Sequence, residues 1–338
     1  MRKRTSFYLE EAMLKNEIDK RNAKRVLIQL PEGLKAEGPR LATIVEKAGA
    51  LPIISADSCY GACDLATREA ETLRADLLVH FGHTPVTTQP RVPTIYIEAK
   101  AVVNVKEAVS KALPYLRDWK SLGLATTVQH VDMLSEAREG LIKAGKSVAI
   151  GDTGKLNYAG QVIGCNFSNA KAVSKDVEAF LFIGGGKFHA IGLALATLKP
   201  VIVADPYEKR AYAIDDEVQK IIKQRWATIY EAKNAEKFGV LIGLKSGQER
   251  FDEALQIKEK LEKKERRATL FALREITPEA LMQFPTVDAF VNTACPRISL
   301  DDASKFLKPV LTLEETSVIL GEMSWEKLCK EGWFASET

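Results

Sequence analysis

Short apolar runs, each followed by a turn signal and then by a helical pattern, recur along the whole 338-residue chain. This alternation is typical of parallel α/β architecture, because strands covered by helices on both faces are apolar throughout. We therefore predict an α/β fold built on parallel sheets. A chain of this length can bury substantial cores without disulfide or metal staples.

The order of these parts repeats three times. A first strand is predicted at residues 26–30, 122–127 and 239–244. A later strand-then-loop element reads A-D-L-L-V-H-F-G-H, E-A-F-L-F-I-G-G-G and D-A-F-V-N-T-A-C-P, and each version is followed by one more strand. We infer an internal triplication into three similar small parallel-sheet α/β units. The units are expected at residues 1–110, 111–225 and 226–338. The later strand pairs are expected at residues 75–82 with 94–98, 177–185 with 200–205, and 287–295 with 309–314.

Charge and hydropathy give no sign of a nucleic-acid or membrane partner. Forty-eight basic and forty-five acidic residues give a net charge of +3, too balanced to predict direct nucleic-acid or membrane binding. No apolar run reaches the 18 residues of a membrane-spanning helix. The charged stretch 249–267 fits a solvated helix face and is assigned no function. We expect a cytoplasmic protein.

The five cysteines need individual explanations, because an odd number spread from position 59 to 329 does not resemble a disulfide framework. Ligand groups in parallel sheets collect in loops beyond the carboxyl ends of strands. Cys59 and Cys63 follow one predicted strand, Cys165 lies in G-Q-V-I-G-C-N-F-S-N, and Cys295 follows another strand. Each unit thus supplies a thiol, whereas Cys329, in the helical pattern W-E-K-L-C-K, reads as a surface or packing cysteine.

Three thiolates suit an iron-sulfur cluster or zinc, since both favour sulfur ligands. Histidines could complete a zinc site, but separations of 102 residues between Cys63 and Cys165 and 130 between Cys165 and Cys295 differ from the local pairs of structural zinc. Buried free cysteines are the plain alternative. Three ligands on a four-iron cluster would leave one iron open for a substrate.

A glycine-rich run, G-G-G-K-F-H, extends from Gly184 to His189 directly after an apolar strand. Consecutive glycines let a backbone approach a ligand closely or let loops cross. The run lacks the G-x-G-x-x-G of dinucleotide sites and the Lys-Ser/Thr of phosphate loops, which excludes nicotinamide and ATP interpretations. His189 and His130 could be ligands, acid/base groups or ordinary half-buried histidines. His80 and His83 are expected to pack a loop.

Six motifs occur in order along the chain: Y-G-A-C-D (60–64), T-T-V-Q-H (126–130), G-Q-V-I-G-C-N (160–166), F-I-G-G-G-K-F-H-A-I-G-L-A (182–194), A-D-P-Y (204–207) and A-C-P-R-I-S-L-D-D (294–302). Together they resemble the archaeal diphthamide synthase family, 2-(3-amino-3-carboxypropyl)histidine synthase, and the match runs from about residue 25 to 320. The resemblance implies a homodimer of three-unit subunits. It also implies one 4Fe-4S cluster per subunit, held at the centre by a cysteine from each unit.

The same resemblance selects the metal ligands. The cysteine of Y-G-A-C is Cys63, and the other two ligands are Cys165 and Cys295. Cys59 lies outside the motif and is expected to be a bystander, although a substitute ligand role stays open. Cys59 and Cys63 do not begin the C-x3-C-x2-C of ordinary radical S-adenosylmethionine enzymes, because position 66 is Ala66.

The resemblance further implies the reaction. S-adenosylmethionine would bind near the open iron, and the reduced cluster would donate one electron to the sulfonium. The resulting 3-amino-3-carboxypropyl radical would add to the imidazole C2 of a histidine of translation elongation factor 2, releasing methylthioadenosine. The protein's task would be to aim the methionine γ-carbon at the cluster.

Besides the elongation factor, the reaction requires an electron donor as a partner. No catalytic residue is assigned beyond the cluster ligands. The alternatives are a non-catalytic, cluster-bearing partner subunit and a zinc-stabilised binding protein. The residues expected to shape the cosubstrate pocket are Gln129, His130, Gly184, Gly185, Gly186 and His189.

Overall fold

A computed structural model of the chain describes residues 7–86 and 91–334. Two compact units divide the chain. The first lies within residues 1–103 and includes 245–247, and the second comprises 104–244 and 248–338. The fold is mixed α/β with several parallel sheets, as the alternating pattern predicts. Within the described ranges, no helix is long and apolar enough to cross a membrane.

The first unit contains a four-stranded parallel sheet and three helices. Its strands are β1 (Phe7–Tyr8), β2 (Arg25–Gln29), β3 (Leu51–Ile54), β4 (Leu77–Phe81), β5 (Thr94–Ile97) and β6 (Lys100–Ala101). Its helices are α1 (Glu11–Arg21), α2 (Gly38–Lys47) and α3 (Thr67–Thr72), with a 3-10 helix at Glu32–Glu37. The sheet has the order β3-β2-β4-β5, and the short β1 and β6 pair antiparallel.

The second unit contains two sheets, of which the earlier in sequence has five strands. The strands are β7 (Ser121–Thr126), β8 (Ser147–Ile150), β9 (Ala179–Ile183), β10 (Val201–Asp205) and β11 (Arg210–Ala213). The helices are α4 (Lys106–Ala112), α5 (Leu134–Lys143), α6 (Ser168–Val173), α7 (Phe188–Thr197) and α8 (Asp215–Ala232), with a 3-10 helix at Val128–Met133. The order is β8-β7-β9-β10-β11, and only β11 is antiparallel to its neighbour.

The later sheet of this unit is parallel throughout and has the order β13-β12-β14-β15. These strands are β12 (Lys237–Gly243), β13 (Arg267–Leu273), β14 (Ala289–Asn292) and β15 (Val310–Leu311). The helices are α9 (Phe251–Lys263), α10 (Pro278–Met282), α11 (Pro296–Asp301), α12 (Leu313–Ile319) and α13 (Trp325–Glu331), with a 3-10 helix at Ala303–Lys305.

The three main sheets share one strand order. Numbered along the chain within each sheet, the first four parallel strands lie in the order 2-1-3-4. The third strand of each sheet, β4, β9 or β14, is buried at every residue. Strands of this kind need apolar cover on both faces, which explains the continuous apolar runs in the sequence. The loops after these strands gather at the carboxyl edge of their sheets.

Some predicted boundaries are wrong. The strand expected at 309–314 ends at Leu311, because Thr312 begins α12 with a capping box in which its side chain and Glu315 bond each other's backbone N–H groups. After β10 the chain forms the short antiparallel strand β11 before α8 begins, and the sequence pattern did not predict this strand. Short antiparallel strands have no distinctive apolar run, so the pattern did not indicate them.

Candidate functional site

Cys63 lies in the first unit, in a turn between β3 and α3 that several buried groups hold in place. Gln29 Nε2 donates to the carbonyl of Asp64 at 2.6 Å, and the Asp64 carboxylate pairs with Lys245 Nζ at 3.0 Å. Lys245 also lies over the ring of Tyr60, 4.1 Å from its centroid. A cation therefore lies beside the loop that carries this partly exposed thiol.

Gly247 packs directly on Cys63. Its N–H donates to the Cys63 carbonyl at 2.9 Å. A Cβ at position 247 would lie 2.6 Å from Cys63 Cα and 2.8 Å from Cys63 Cβ, distances that real Cβ contacts do not reach. Only glycine allows this approach of one backbone to the other.

Cys165 lies at the tip of a tight turn in the second unit. Ile163 and Asn166 exchange backbone hydrogen bonds of 3.1 and 3.3 Å around Gly164 and Cys165. The chain before the turn runs beside the end of β7, where the N–H of Val162 donates to the Thr126 carbonyl at 2.7 Å. The turn thus presents a partly exposed thiol near the carboxyl end of a central strand.

Cys295 directly precedes α11, at the end of the loop that follows β14. Asn292, the last residue of β14, shapes this loop, because its Nδ2 donates to the Cys295 carbonyl at 2.7 Å and its Oδ1 accepts from Ala294 N–H at 3.0 Å. Cys295 is a partly exposed thiol, like Cys165. Cys165 follows the second strand of its sheet and Cys295 follows the third, so the two loops are not equivalent positions of a repeat.

Arg297 interacts with both the Cys165 and the Cys295 thiol. Its buried guanidinium interacts electrostatically with both Cys295 and Cys165. Burial lowers the pKa of Arg297, while Asp301, Cys295 and Cys165 raise it. Arg297 Nη2 donates to the Phe188 carbonyl and to Asp301 Oδ1, both at 2.8 Å. Arginine stays charged in proteins, so a fixed positive charge lies beside both thiols.

The glycine-rich run follows β9 and lies against His130, Asp205 and Tyr207. Gly184 and Gly186 have φ values of 155° and 74°, which disfavour other residues. A Cβ on Gly184 would lie 3.8 Å from His130 Cε1, and one on Gly185 would lie 3.1 Å from Tyr207 Cδ2. Gly184 and Gly185 thus lie close to polar side chains, whereas a Cβ on Gly186 would meet nothing within 4 Å.

His130 and Tyr207 form a hydrogen bond of 3.0 Å between Nε2 and the phenol oxygen. Burial lowers the pKa of His130 to about 4, although Asp205 raises it, and burial raises the pKa of Tyr207 to about 12. Both groups are thus neutral near pH 7. Asp205 Oδ1 accepts from the N–H groups of Tyr207 and Glu208 at 2.9 and 3.1 Å.

The two other residues predicted to shape the cosubstrate pocket are Gln129 and His189. Gln129 is half-buried on the same 3-10 helix as His130. His189 lies in the first turn of α7, where its ring stacks on Phe182 with centroids 6.2 Å apart. The sequence interpretation did not single out Arg297, Asp205 or Tyr207, although all three lie within the quoted motifs A-C-P-R and A-D-P-Y.

The two other cysteines have different surroundings. Cys59 is buried, and burial raises the pKa of its thiol to about 12. Cys329 lies half-buried on α13, as expected for a packing cysteine. His80 belongs to β4 itself and not to the loop that was predicted for it, while His83 follows the strand.

Comparisons with known proteins agree on one family. A family model described as "Putative diphthamide synthesis protein" matches residues 30–329. The curated 2-(3-amino-3-carboxypropyl)histidine synthase of Pyrococcus horikoshii is 41% identical over 307 residues, which cover 90% of this chain and 88% of that protein. Subunit 1 of the corresponding Nematostella vectensis enzyme is 32% identical over 90% of this chain and 65% of its own length. The crystal structure of Dph2 from Pyrococcus horikoshii with a 4Fe-4S cluster has a TM-score of 0.86 at 39% identity, covering 94% of this chain and 92% of that one.

Proposed function

Because this chain belongs to the diphthamide synthesis protein family, we propose that it transfers the 3-amino-3-carboxypropyl group of S-adenosylmethionine to a histidine of translation elongation factor 2. The acceptor atom is the imidazole C2, and methylthioadenosine is released. This is the first step of diphthamide biosynthesis. The observation that carries the proposal is the match to the Pyrococcus synthase over nine tenths of the chain.

The proposed cofactor is a 4Fe-4S cluster, the group that accompanies the similar Dph2 crystal structure from Pyrococcus. The donor set of this chain fits it, because Cys63, Cys165 and Cys295 are partly exposed thiols in loops near the ends of strands. Arg297 beside two of these thiols offsets the negative charge of a thiolate-bound cluster. When bound and reduced, the cluster supplies the electron that cleaves the sulfonium bond.

The proposed cosubstrate pocket is formed by the glycine-rich run with its polar neighbours. Gly184, Gly185 and Gly186 offer backbone without side chains, so an extended ligand can approach closely. His130 and Tyr207 contribute neutral hydrogen-bonding groups, and Asp205 contributes a carboxylate that accepts from the Tyr207 N–H. Gln129 and His189 complete the proposed set. These residues bind and orient S-adenosylmethionine and exclude water.

Architecture, partners and location belong to the same proposal. The shared 2-1-3-4 strand order supports a triplication into units at 1–110, 111–225 and 226–338. We propose that the chain acts as a homodimer and receives its electron from a separate donor protein or reductant. A cytoplasmic location accords with five cysteines in the thiol form.

The test is anaerobic purification followed by a single-turnover assay. We expect about four irons per chain. We also expect methylthioadenosine release that requires dithionite and elongation factor 2. An iron-loaded chain that releases none would be a cluster-bearing partner subunit, and an iron-free chain after anaerobic reconstitution would overturn the proposal.

A further inference from the structure

Three metal-binding side chains meet in the first unit, apart from the ligands assigned above. The Cys59 sulfur and one ring nitrogen each of His80 and His83 lie within 4.8 Å of one another. His80 and Cys59 are 0% and 2% exposed, and His83 is partly exposed. They meet because β3 and β4 both pair with β2, which brings the loop after β3 close to the end of β4. We propose that Cys59, His80 and His83 form a binding site for Zn²⁺.

The tautomer of His80 is set by a buried amide. His80 Nδ1 lies 2.9 Å from Gln29 Oε1, an oxygen that can only accept, so Nδ1 carries the proton. Its Nε2 then bears the lone pair and accepts a hydrogen bond from His83 Nδ1 at 2.9 Å, a bond that Zn²⁺ would replace. Metal-bound histidines commonly have this arrangement, in which an outer acceptor fixes the ring and the other nitrogen binds.

Gln29 is itself held rigidly. Its Nε2 donates to the carbonyl of Asp64, and its Oε1 also accepts from Ala66 N–H at 3.1 Å. The imidazole of His80 is therefore oriented before any metal arrives. A preorganised ligand loses little conformational entropy on binding.

The protonation states suit capture of a divalent cation. Burial lowers the pKa of His80 to about 3 and that of His83 to about 4, so both rings are neutral near pH 7. The Cys59 thiol is also neutral there. Binding of Zn²⁺ would replace the S–H proton of Cys59 with a sulfur–zinc bond and release that proton to solvent. No oxidant or reductant is needed.

Glu32 supplies the remaining negative charge. Its Oε1 accepts from the N–H of Cys59 at 3.2 Å, and its carboxylate acts electrostatically on both Cys59 and His83. One thiolate and one carboxylate together neutralise a divalent cation, which matters because an uncompensated buried charge is costly. Glu32 also pairs with Lys35 Nζ at 3.3 Å, so its carboxylate is a neighbouring charge, and the proposed protein ligands are Cys59, His80 and His83.

The types of ligand atom at this site favour zinc over other metals. One sulfur and two imidazole nitrogens match zinc, whereas iron-sulfur clusters take cysteine thiolates and magnesium or calcium takes oxygen. Tetrahedral zinc ligands lie about 3.3–3.7 Å apart, given bonds of ~2.0–2.3 Å. Small rotations of Cys59 and His83 would bring the three atoms to that spacing. A zinc ion here would tie the loop before Cys63 to β4.

The test measures zinc and iron in one preparation. The 338-residue chain, reconstituted anaerobically with iron and sulfide and then incubated with Zn²⁺ and desalted, should contain about one zinc and about four irons by mass spectrometry. Cys59→Ser should lose the zinc and keep the iron, while Cys63→Ser should keep the zinc and lose the iron. Cys329→Ser is the matched control and should keep both.

Co²⁺ provides a second readout on the iron-free Cys63→Ser chain. A sulfur-to-cobalt charge-transfer band should appear, and it should disappear when Cys59→Ser is added. If Cys59→Ser does not fold, His83→Gln replaces it, because His83 is partly exposed, and zinc affinity should fall at least tenfold. Zinc retained by a folded Cys59→Ser chain, unchanged zinc affinity in a folded His83→Gln chain, or no zinc in the folded parent chain would overturn the site. Failure to load iron would contradict the proposed function alone.

Discussion

The guanidinium of Arg297 is a buried positive charge shared by Cys165, Cys295 and Asp301. Arg297→Gln would remove the charged hydrogen bonds to the Phe188 carbonyl and to Asp301, which is itself partly exposed, and a hydrogen bond to a charged group contributes about 1.5–3 kcal/mol. We expect the free energy of unfolding in urea to fall by about that amount, and the iron content per chain to fall with it.

Arg117 is the control for this change, because it is exposed and pairs only weakly with the adjacent Asp118. Arg117→Gln should alter the free energy of unfolding by less than about 1 kcal/mol. Equal stability of the Arg297→Gln chain and the parent chain would show that the buried charge is not needed.

The lowered pKa of His130 predicts that the folded chain loses stability in acid. Its pKa is about 4 in the folded chain and about 6.5 when unfolded, so the unfolded state binds a proton more readily. The stabilisation is therefore fully present above pH 6.5 and is lost as the pH falls towards 4. Between pH 7.5 and 5, His130 should account for about 2 kcal/mol of the decrease in unfolding free energy. Urea unfolding of the parent and His130→Gln chains at both pH values measures this contribution. The prediction is wrong if the unfolding free energy of the two chains depends equally on pH.

Single residues were predictable where their chemistry is visible in the sequence. Three thiols and a triple glycine stand out in any reading of the chain. Arg297 and Tyr207 do not, because their roles depend on contacts with Phe188 and His130 that only the tertiary structure creates. Arginine and tyrosine are also common on surfaces, so their presence in a motif does not indicate burial.

At the scale of elements, an ion pair joins α8 to α12 in the second unit. Arg225 and Glu315 are both fully buried, with Nε donating to Oε1 at 2.7 Å, and Arg225 also donates to the carbonyls of Ser299 and Val310. Glu315→Gln removes the charge that compensates Arg225. We expect the free energy of unfolding to fall by about 3 kcal/mol in urea titrations.

Glu322→Gln is the comparison, because Glu322 pairs with Lys260 at a largely exposed position. It should cost less than about 1 kcal/mol. If both substitutions cost the same, the buried network does not hold α8 against α12.

Strands were easier to predict than the segments between them. The first strands expected at 26–30, 122–127 and 239–244 agree with β2, β7 and β12 to within two residues, because buried parallel strands are continuous apolar runs. The ends of elements depend on local hydrogen bonds, as at the capping box of Thr312. β11 depends on its pairing with β10, which no local pattern records.

At the scale of the whole molecule, the proposed cluster depends on thiols distant in sequence. A cluster that loses one of three protein ligands is not held, so Cys165→Ser and Cys295→Ser should each remove nearly all the iron. Visible absorption and iron analysis after anaerobic reconstitution measure this. Partial iron retention in both variants would indicate that another residue can replace a ligand.

The repeated order of parts was visible in the sequence, and the three sheets have the same 2-1-3-4 order. The division into two compact units was not visible, because residues 245–247 join the first unit through contacts such as that between Lys245 and Asp64. Such long-range pairs leave no periodic signal.

Position 247 accepts no side chain, since a Cβ there would lie 2.6 Å from Cys63 Cα. We therefore expect Gly247, which has no reactive group, to tolerate substitution as poorly as the neighbouring Cys63. In a saturation screen scored by diphthamide formation, substitutions of Gly247 should be depleted about as strongly as those of Cys63. Gly33, whose added Cβ would meet nothing within 4 Å, should tolerate alanine. If position 247 varies freely in the screen, the Cys63 loop can move without loss of activity. If it does not, the shape of the backbone restricts substitution at position 247, although glycine has no reactive group.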